Sequence, residues 1–290
     1  MSNSKKDLAF EMSHHPRRFE DFKHIYPVIS RRSRGVSIGI NLSPDNKCNF
    51  NCVYCQVEKN EQQNYSDIRV KDIMTELERV IQSFDTKAVC ELPKFEAIPS
   101  ENKILRDIAI SGNGEPTLFK DFNILCQALA DFQLSKTQTL PFKLILITNA
   151  SRLGKPEVLE GIGSLLKENG EIWVKFDSGS ERLYKKTART MVPFEETSKN
   201  IIKAGRTYPL VIQSLFFKWK DKAPATTEIE QYCNMLREFL KKGVKINLIQ
   251  LYTVARKPAS KHCTALSETE IEMITQQIAT NTGIPVTGVI

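Results

Sequence analysis

The feature that most limits how this 290-residue chain can fold is a repeated alternation of short apolar runs with amphipathic stretches. Lys143-Leu-Ile-Leu-Ile-Thr148-Asn149 is apolar without interruption and stops on polar residues, the pattern of a parallel strand buried on both faces. Similar runs span 36–42, 107–112, 171–177, 210–217 and 244–252, with a short one at 284–289. Between them lie helical patterns. Residues 70–84 place Ile73, Leu77, Val80, Ile81 and Phe84 on one helix face, and further helices are predicted over 119–132, 156–167, 194–204 and 226–242. The last helix opens on Ser267-Glu-Thr-Glu270, a capping box, and runs to about residue 280. Six strand-helix units in alternation predict an α/β fold with a parallel sheet and right-handed crossovers. The chain is short for a full eight-unit barrel of ~250 residues once residues 1–34 and a loop or insertion over 85–103 are set aside. A partial (β/α)6 TIM-type barrel over 35–290 fits, preceded by a basic N-terminal extension, 1–34.

In such folds the active site lies at the carboxyl ends of the strands. The unusual residues of this chain fall there. After the first strand comes Asn41-Leu-Ser-Pro-Asp-Asn-Lys-Cys48-Asn-Phe-Asn-Cys52-Val-Tyr54-Cys55, and after the second Ser111-Gly112-Asn113-Gly114-Glu115-Pro116-Thr117. The third ends in Thr148-Asn149, the fourth in Asp177-Ser178, and Arg256 follows the sixth. Gln213 and Ser214 interrupt an otherwise apolar run, where core packing gives no reason for them.

Composition narrows the class. A hydrophobic fraction of 41% with 26% charged residues belongs to ordinary globular proteins. Seven cysteines, an odd number, argue against a secreted disulfide scaffold. The start lacks a signal-peptide core and no window approaches the ~20 apolar residues of a membrane span, so a cytoplasmic protein is expected. The net charge of +7 has its clearest runs at Arg31-Arg32-Ser-Arg34 and Arg17-Arg18, which suit either nucleic-acid contact or solubility. His14, His15 and His24 lack the spacing of a helix-face metal pair and read as surface or packing residues. Cys126 and Cys233 fall within predicted helices, whereas Cys90 lies in the 85–103 segment.

Cys48, Cys52 and Cys55 have the spacing Cys-x3-Cys-x2-Cys. Thiolates hold iron-sulfur clusters, and a four-iron cluster ordinarily takes four, so three leave one iron whose ligand comes from elsewhere. Structural zinc needs four closed ligands; Cys52 and Cys55 make one pair, and no second pair exists in the sequence.

The cysteine spacing, with Tyr54 before the last cysteine, resembles the signature of the radical S-adenosylmethionine (SAM) enzymes. The resemblance implies a [4Fe-4S] cluster held by Cys48, Cys52 and Cys55, with SAM chelating the open iron. It implies that Gly112, Asn113, Gly114 and Glu115 bind the SAM amino group. It further implies that Thr148, Asn149, Asp177 and Ser178 contact the SAM carboxylate and ribose, and that Tyr54 packs near the adenine. The expected activity is that of an oxidoreductase that reductively cleaves SAM to a 5′-deoxyadenosyl radical and takes hydrogen from a substrate. An external one-electron donor is implied. The segments 31–44 and 250–258 are similar to a mostly uncharacterised branch of this superfamily, distantly similar to the wybutosine-forming tRNA enzymes. The substrate class (small molecule, protein or tRNA) stays open. Two alternatives remain: a tRNA-base-modifying radical SAM enzyme, and a non-catalytic zinc or RNA-binding module.

Overall fold

The computed structural model describes residues 22–30, 33, 35–43, 46, 48–57, 68–85, 99, 102–136 and 139–289. The expectations for Arg17, Arg18, Arg31, Arg32, Arg34, His14, His15 and Cys90 lie outside the described residues.

Every strand expected from an apolar run is present. In chain order the elements are β1 (Ile25–Ser30), β2 (Gly35–Ile40), α1 (Val70–Asp85), β3 (Leu105–Ile110), a 3-10 turn (Pro116–Leu118), α2 (Phe122–Lys136), β4 (Lys143–Thr148) and α3 (Pro156–Leu165). There follow β5 (Gly170–Lys175), α4 (Glu181–Ala188), α5 (Phe194–Thr207), β6 (Leu210–Leu215), β7 (Lys218–Trp219) and α6 (Thr226–Lys241). The chain continues through β8 (Ile246–Tyr252), β9 (Cys263–Thr264), α7 (Glu268–Thr282) and β10 (Val286–Val289). The hydrogen-bonding order is β1-β2-β3-β4-β5-β6-β8-β10, with β7 and β9 forming a separate two-stranded ribbon. This is an α/β fold with a mostly parallel sheet, of the partial TIM-barrel class.

The chain divides into two compact units. One unit draws on Met1–Lys47, Glu61–Leu146 and Glu160–Gly170, the other on Cys48–Asn60, Ile147–Leu159 and Glu171–Ile290.

In the first unit β2, β3 and β4 pair in parallel, with Ile38 opposite Ile108 and Ile108 opposite Leu144. All three are fully buried, as are Ile73 and Leu77 of α1. Burying such a side chain stabilises by about 1.5–3 kcal/mol, which explains why uninterrupted apolar runs become central strands. β1 was not expected. Its residues lie in the stretch read from the sequence as an N-terminal extension, yet they pair antiparallel with β2, Ile25 opposite Ile40. Pro27 gives no backbone donor, so an edge strand is where this segment fits. Glu76 of α1 fixes its start, accepting from the amides of Lys23 (3.1 Å), His24 (2.8 Å) and Ile25 (3.2 Å).

In the second unit β5, β6, β8 and β10 pair in parallel. Phe176 packs against Phe194, Tyr232 and Phe239, tying α5 and α6 to the sheet. Ser267 Oγ accepts from the Glu270 amide at 3.2 Å while Glu270 accepts from the Ser267 amide at 2.6 Å, so the expected capping box opens α7. The crossover from β5 to β6 carries two helices rather than one, because the short polar helix α4 follows the Asp177-Ser178 turn.

Candidate functional site

The cysteine loop belongs to the second unit, and its backbone is fastened on two sides. On one side the amides of Asn51 and Val53 donate to the carbonyls of Ala188 (3.0 Å) and Thr187 (2.9 Å) at the end of α4. On the other, the amides of Ala259 and Ser260 donate to the carbonyls of Cys55 (2.7 Å) and Val53 (2.9 Å). Thr190 Oγ1 donates to the Asn49 carbonyl at 2.8 Å. The loop therefore holds its course through the protein's own hydrogen bonds.

Its side chains are equally placed. Phe50 packs with Tyr184 and Ala188, and Cys48 and Cys52 lie against that group. Val53 and Tyr54 pack with Leu215, Val254 and the buried Cys263. A cavity of about 110 Å³ is lined by Phe50, Cys52, Tyr54, Cys55, Lys175 and Asp177, among others. Cys55 closes a tight turn, its amide donating to the Cys52 carbonyl at 3.0 Å, and the Phe50 amide donates to Cys48 Sγ at 3.4 Å.

Beside the loop is a charged and aromatic network that the sequence did not announce. Tyr54 OH donates to Asp177 Oδ2, and the Leu215 amide donates to Asp177 Oδ1 at 2.7 Å. Lys175 Nζ lies 3.7 Å from Asp177 Oδ1 and donates to Tyr252 OH. The same ammonium sits 5.2 Å from the Tyr54 ring centroid and 4.6 Å from that of Tyr252, within cation-π range. Burial works against the lysine charge, but Asp177 and Tyr252 outweigh it and hold the pKa above its ordinary value. Burial, with the Asp177 carboxylate adding to it, pushes the Cys52 thiol up to about 12. Burial and the same carboxylate raise the Tyr54 hydroxyl well above the usual phenol range.

The remaining strand-end residues of this unit are engaged within the protein. Asn149 Nδ2 donates to Asn49 Oδ1 at 2.9 Å, joining the turn after β4 to the cysteine loop. Thr148 Oγ1 accepts from the Ala150 amide at 3.1 Å, and Asn149 Oδ1 from the Ser151 amide at 3.0 Å. Ala150 has φ +65°, a left-handed conformation that costs a non-glycine residue about 1–2 kcal/mol. Asn200 holds it there, donating to the carbonyls of Ala150 (3.1 Å) and Ser151 (2.9 Å). Ser178 Oγ pairs with Thr187 Oγ1 at 3.1 Å. A Cβ on Gly179 would collide with the backbone of Gln231 and Tyr232, so only glycine lets this turn approach α6 so closely.

In the first unit the Gly112–Glu115 turn is built on Asn41, which the sequence reading passed over. Asn41 is buried, and its Oδ1 accepts from the amides of Ser43 (3.0 Å) and Asn113 (3.1 Å). A Cβ on Gly112 would lie 2.9 Å from Asn41 Cα, so the two segments meet backbone to backbone. Glu115, also buried, caps the 3-10 turn, accepting from the Thr117 amide (3.2 Å) and hydroxyl (2.6 Å). His24 Nδ1 lies 3.1 Å from the Asn41 carbonyl and serves this packing.

Iron-sulfur chemistry asks for three thiols on one loop, an apolar surround and backbone donors to sulfur. Cys48, Cys52 and Cys55 share one loop, Cys48 and Cys52 lie against apolar side chains, and the Phe50 amide donates to Cys48 Sγ. Among the described residues, the side chains of His, Cys, Asp and Glu do not stand gathered in threes as a metal site. The donor set of Cys48, Cys52 and Cys55, three thiols on one fastened loop, is what fits the cluster, rather than the positions of their side chains.

Comparison with known proteins adds the following. No protein-family model matches the chain. It is 24% identical over 265 residues to "GTPase Obg" of Brachyspira hyodysenteriae, covering 90% of this chain but 34% of that protein. The chain thus spans about a third of that relative's length, and its sequence has no Gly-x4-Gly-Lys-Ser/Thr phosphate loop. It is 24% identical over 248 residues to a "UPF0026 protein" of Helicobacter pylori strain J99, covering 84% of this chain and 70% of that one. Among solved structures, a radical SAM methyltransferase from Sphaerobacter thermophilus superposes with a TM-score of 0.61 at 13% identity, covering 94% of this chain and 71% of that one. The structure of TYW1 with a lysine-pyruvate adduct bound superposes with a TM-score of 0.51 at 16% identity, covering 85% and 74%. The fold of this chain is that of the radical SAM proteins.

Proposed function

We propose that this chain is a radical SAM enzyme in which Cys48, Cys52 and Cys55 hold a [4Fe-4S] cluster and SAM completes the ligation of the remaining iron. The observation that carries this reading is the cysteine loop itself, three thiols on a backbone fastened by Thr187, Ala188, Ala259 and Ser260 in a fold shared with radical SAM proteins. When bound, the cluster and SAM supply one-electron reductive cleavage of the sulfonium and hydrogen-atom abstraction from a substrate, with the electron coming from an external donor.

The chain's own residues do the rest. Phe50, Tyr184 and Ala188 pack against Cys48 and Cys52, and Val53 and Tyr54 pack against Cys52, giving these two thiols an apolar flank that would limit solvent access to a cluster. Burial raises the Cys52 thiol to about 12, so Cys52 is held as a thiol without metal and would give up that proton in order to hold the cluster. Gly112, Asn113, Gly114 and Glu115 take the SAM amino group, with Asn41 holding the Asn113 amide in place. Thr148, Asn149, Asp177 and Ser178 form walls for the carboxylate and ribose, and Tyr54 for the adenine. An open iron site suits the reducing cytoplasm. Among the described residues no helix is long and apolar enough to cross a membrane.

Anaerobic reconstitution tests the proposal. About four irons and four sulfides per chain are expected, and the reduced protein should convert SAM to methionine and 5′-deoxyadenosine. Cys52→Ala should lose both properties. Stoichiometric zinc without sulfide after anaerobic handling would instead establish the binding-module alternative.

A further inference from the structure

Gln213 and Ser214 interrupt the apolar run of β6, and the structure sends them to opposite sides. Ser214 Oγ lies 2.6 Å from Tyr232 OH of α6 and 2.6 Å from the Phe176 carbonyl, so its role is to tie helix to sheet. Gln213 points to the other face. There it pairs in register with Lys175 of β5 and with Gln250 of β8. Paired residues of parallel strands share a face, so Lys175, Gln213 and Gln250 form one polar row across three neighbouring strands.

This row is incompletely satisfied. Gln213 Nε2 donates to Gln250 Oε1 at 2.9 Å, but among the described residues Gln213 Oε1 has no hydrogen-bond partner although the residue is only 1% exposed. An orphaned buried acceptor costs about 1–3 kcal/mol, and an apolar residue here would avoid that. One strand away, Lys175 brings an ammonium to the wall of the cavity beside Cys52 and Cys55. Gln213 is the next residue across the sheet from Lys175. A buried acceptor and a cationic donor on adjacent strands are complementary to a group that carries an N–H next to a C=O.

We propose that Lys175, Gln213 and Gln250 form a binding subsite for an amide or lactam edge, the ligand N–H donating to Gln213 Oε1 and its carbonyl accepting from Lys175 Nζ. Gln250 holds the Gln213 amide in the orientation that leaves its oxygen free. This deepens the enzymatic reading by naming the chemical class of what is bound, and rests on it only for the fate of the ligand, because binding requires no cluster. Ring lactams of nucleobases and primary or secondary amides both belong to this class.

The test compares two probes that differ by one N–H, 1-methyluracil and 1,3-dimethyluracil, by ligand-observed NMR on the full chain before and after anaerobic reconstitution. The expected result is that 1-methyluracil binds at least about tenfold tighter, the equivalent of about one hydrogen bond. Gln213→Leu should erase that ratio, and Gln250→Leu should narrow it. Equal affinity for the two probes, no binding of either, or a ratio that survives Gln213→Leu would overturn the subsite and leave Gln213 Oε1 to an ordered water. The probe comparison on the parent protein stands even if the variants fail to fold. Iron content and SAM cleavage, measured on the same samples, report separately on the radical SAM reading.

Discussion

Replacing Asp177 with Asn removes a charge while keeping the shape of the network around it. An Asn oxygen can still accept from the Leu215 amide, now at 2.7 Å from Asp177 Oδ1, and the Asn amide can still meet the Tyr54 hydroxyl. Lys175 loses its only ion-pair partner among the described residues. Two unit charges 3.7 Å apart attract by about 4.5 kcal/mol at an effective dielectric of about 20. Removing one member of a buried pair typically costs about 3–5 kcal/mol; because the Lys175 side chain remains 19% exposed, we expect the lower end, about 3 kcal/mol. Urea unfolding of the cluster-free protein measures it, with the m-value checked for constancy. A cycle with Lys175→Met isolates the pair, since the doubly substituted protein holds neither charge, and a coupling of at least about 1.5 kcal/mol is expected. A second readout is chemical. Asp177 helps to raise the Cys52 thiol, so Asp177→Asn should speed alkylation of Cys52 by iodoacetamide at pH 8. A cost under about 0.5 kcal/mol together with a coupling near zero would refute the assignment of Lys175 and Asp177 as a buried ion pair.

Other outcomes follow from the same geometry. The Cys52 thiol is raised from 9.0 to about 12 on folding, so the unfolded chain gives up its proton first. Cluster-free stability is then full below about pH 9 and falls as pH rises towards 12, by on the order of a few kcal/mol, and Cys52→Ala should flatten that slope in urea titrations at pH 8 and 10. Asn41→Ala leaves the amides of Ser43 and Asn113 without their acceptor, for an expected cost of about 2–4 kcal/mol by urea unfolding, whereas Gly112→Ala should be still less tolerated because of the close Asn41 backbone. Ser267→Ala removes the cap of α7 and should cost about 1 kcal/mol while leaving iron loading unchanged.

The fold was largely legible because its strands are written as β-branched apolar runs and its helices as amphipathic ones. What escaped was written in other terms. β1 holds a proline and sits in a basic segment, so neither alternation nor apolarity marks it; its place depends on Glu76, far away in sequence, gathering three amides. The second helix was expected from residue 119, but Glu115 caps a 3-10 turn over Pro116–Leu118 and α2 begins only at Phe122. The cysteine loop and the strand-end residues could be picked out because spacing and strand ends are local properties. Lys175, Tyr252 and Gln250 could not. A lysine ending one strand and a tyrosine ending another become partners only through the register of the strands between them. Asn41 lies within the 36–42 run with nothing local to set it apart, and its two amide contacts are likewise a matter of tertiary approach.

The clamps on the cysteine loop also set an order of events in time. Cys48, Cys52 and Cys55 leave the ribosome before the backbone groups that fasten their loop, which belong to residues 187–188 and 259–260. At about 5–20 residues per second, the gap between the thiols and the last of these clamps corresponds to some ten to forty seconds of synthesis. During that interval the three thiols are tethered to a growing chain with no walls around them. If the loop holds a cluster as proposed, delivery of iron and sulfide belongs after synthesis, to a chain whose residues 187–188 and 259–260 have already fastened the loop, and a truncation that removes residues 259–260 should translate normally yet hold its cysteines open to any metal or oxidant that meets them.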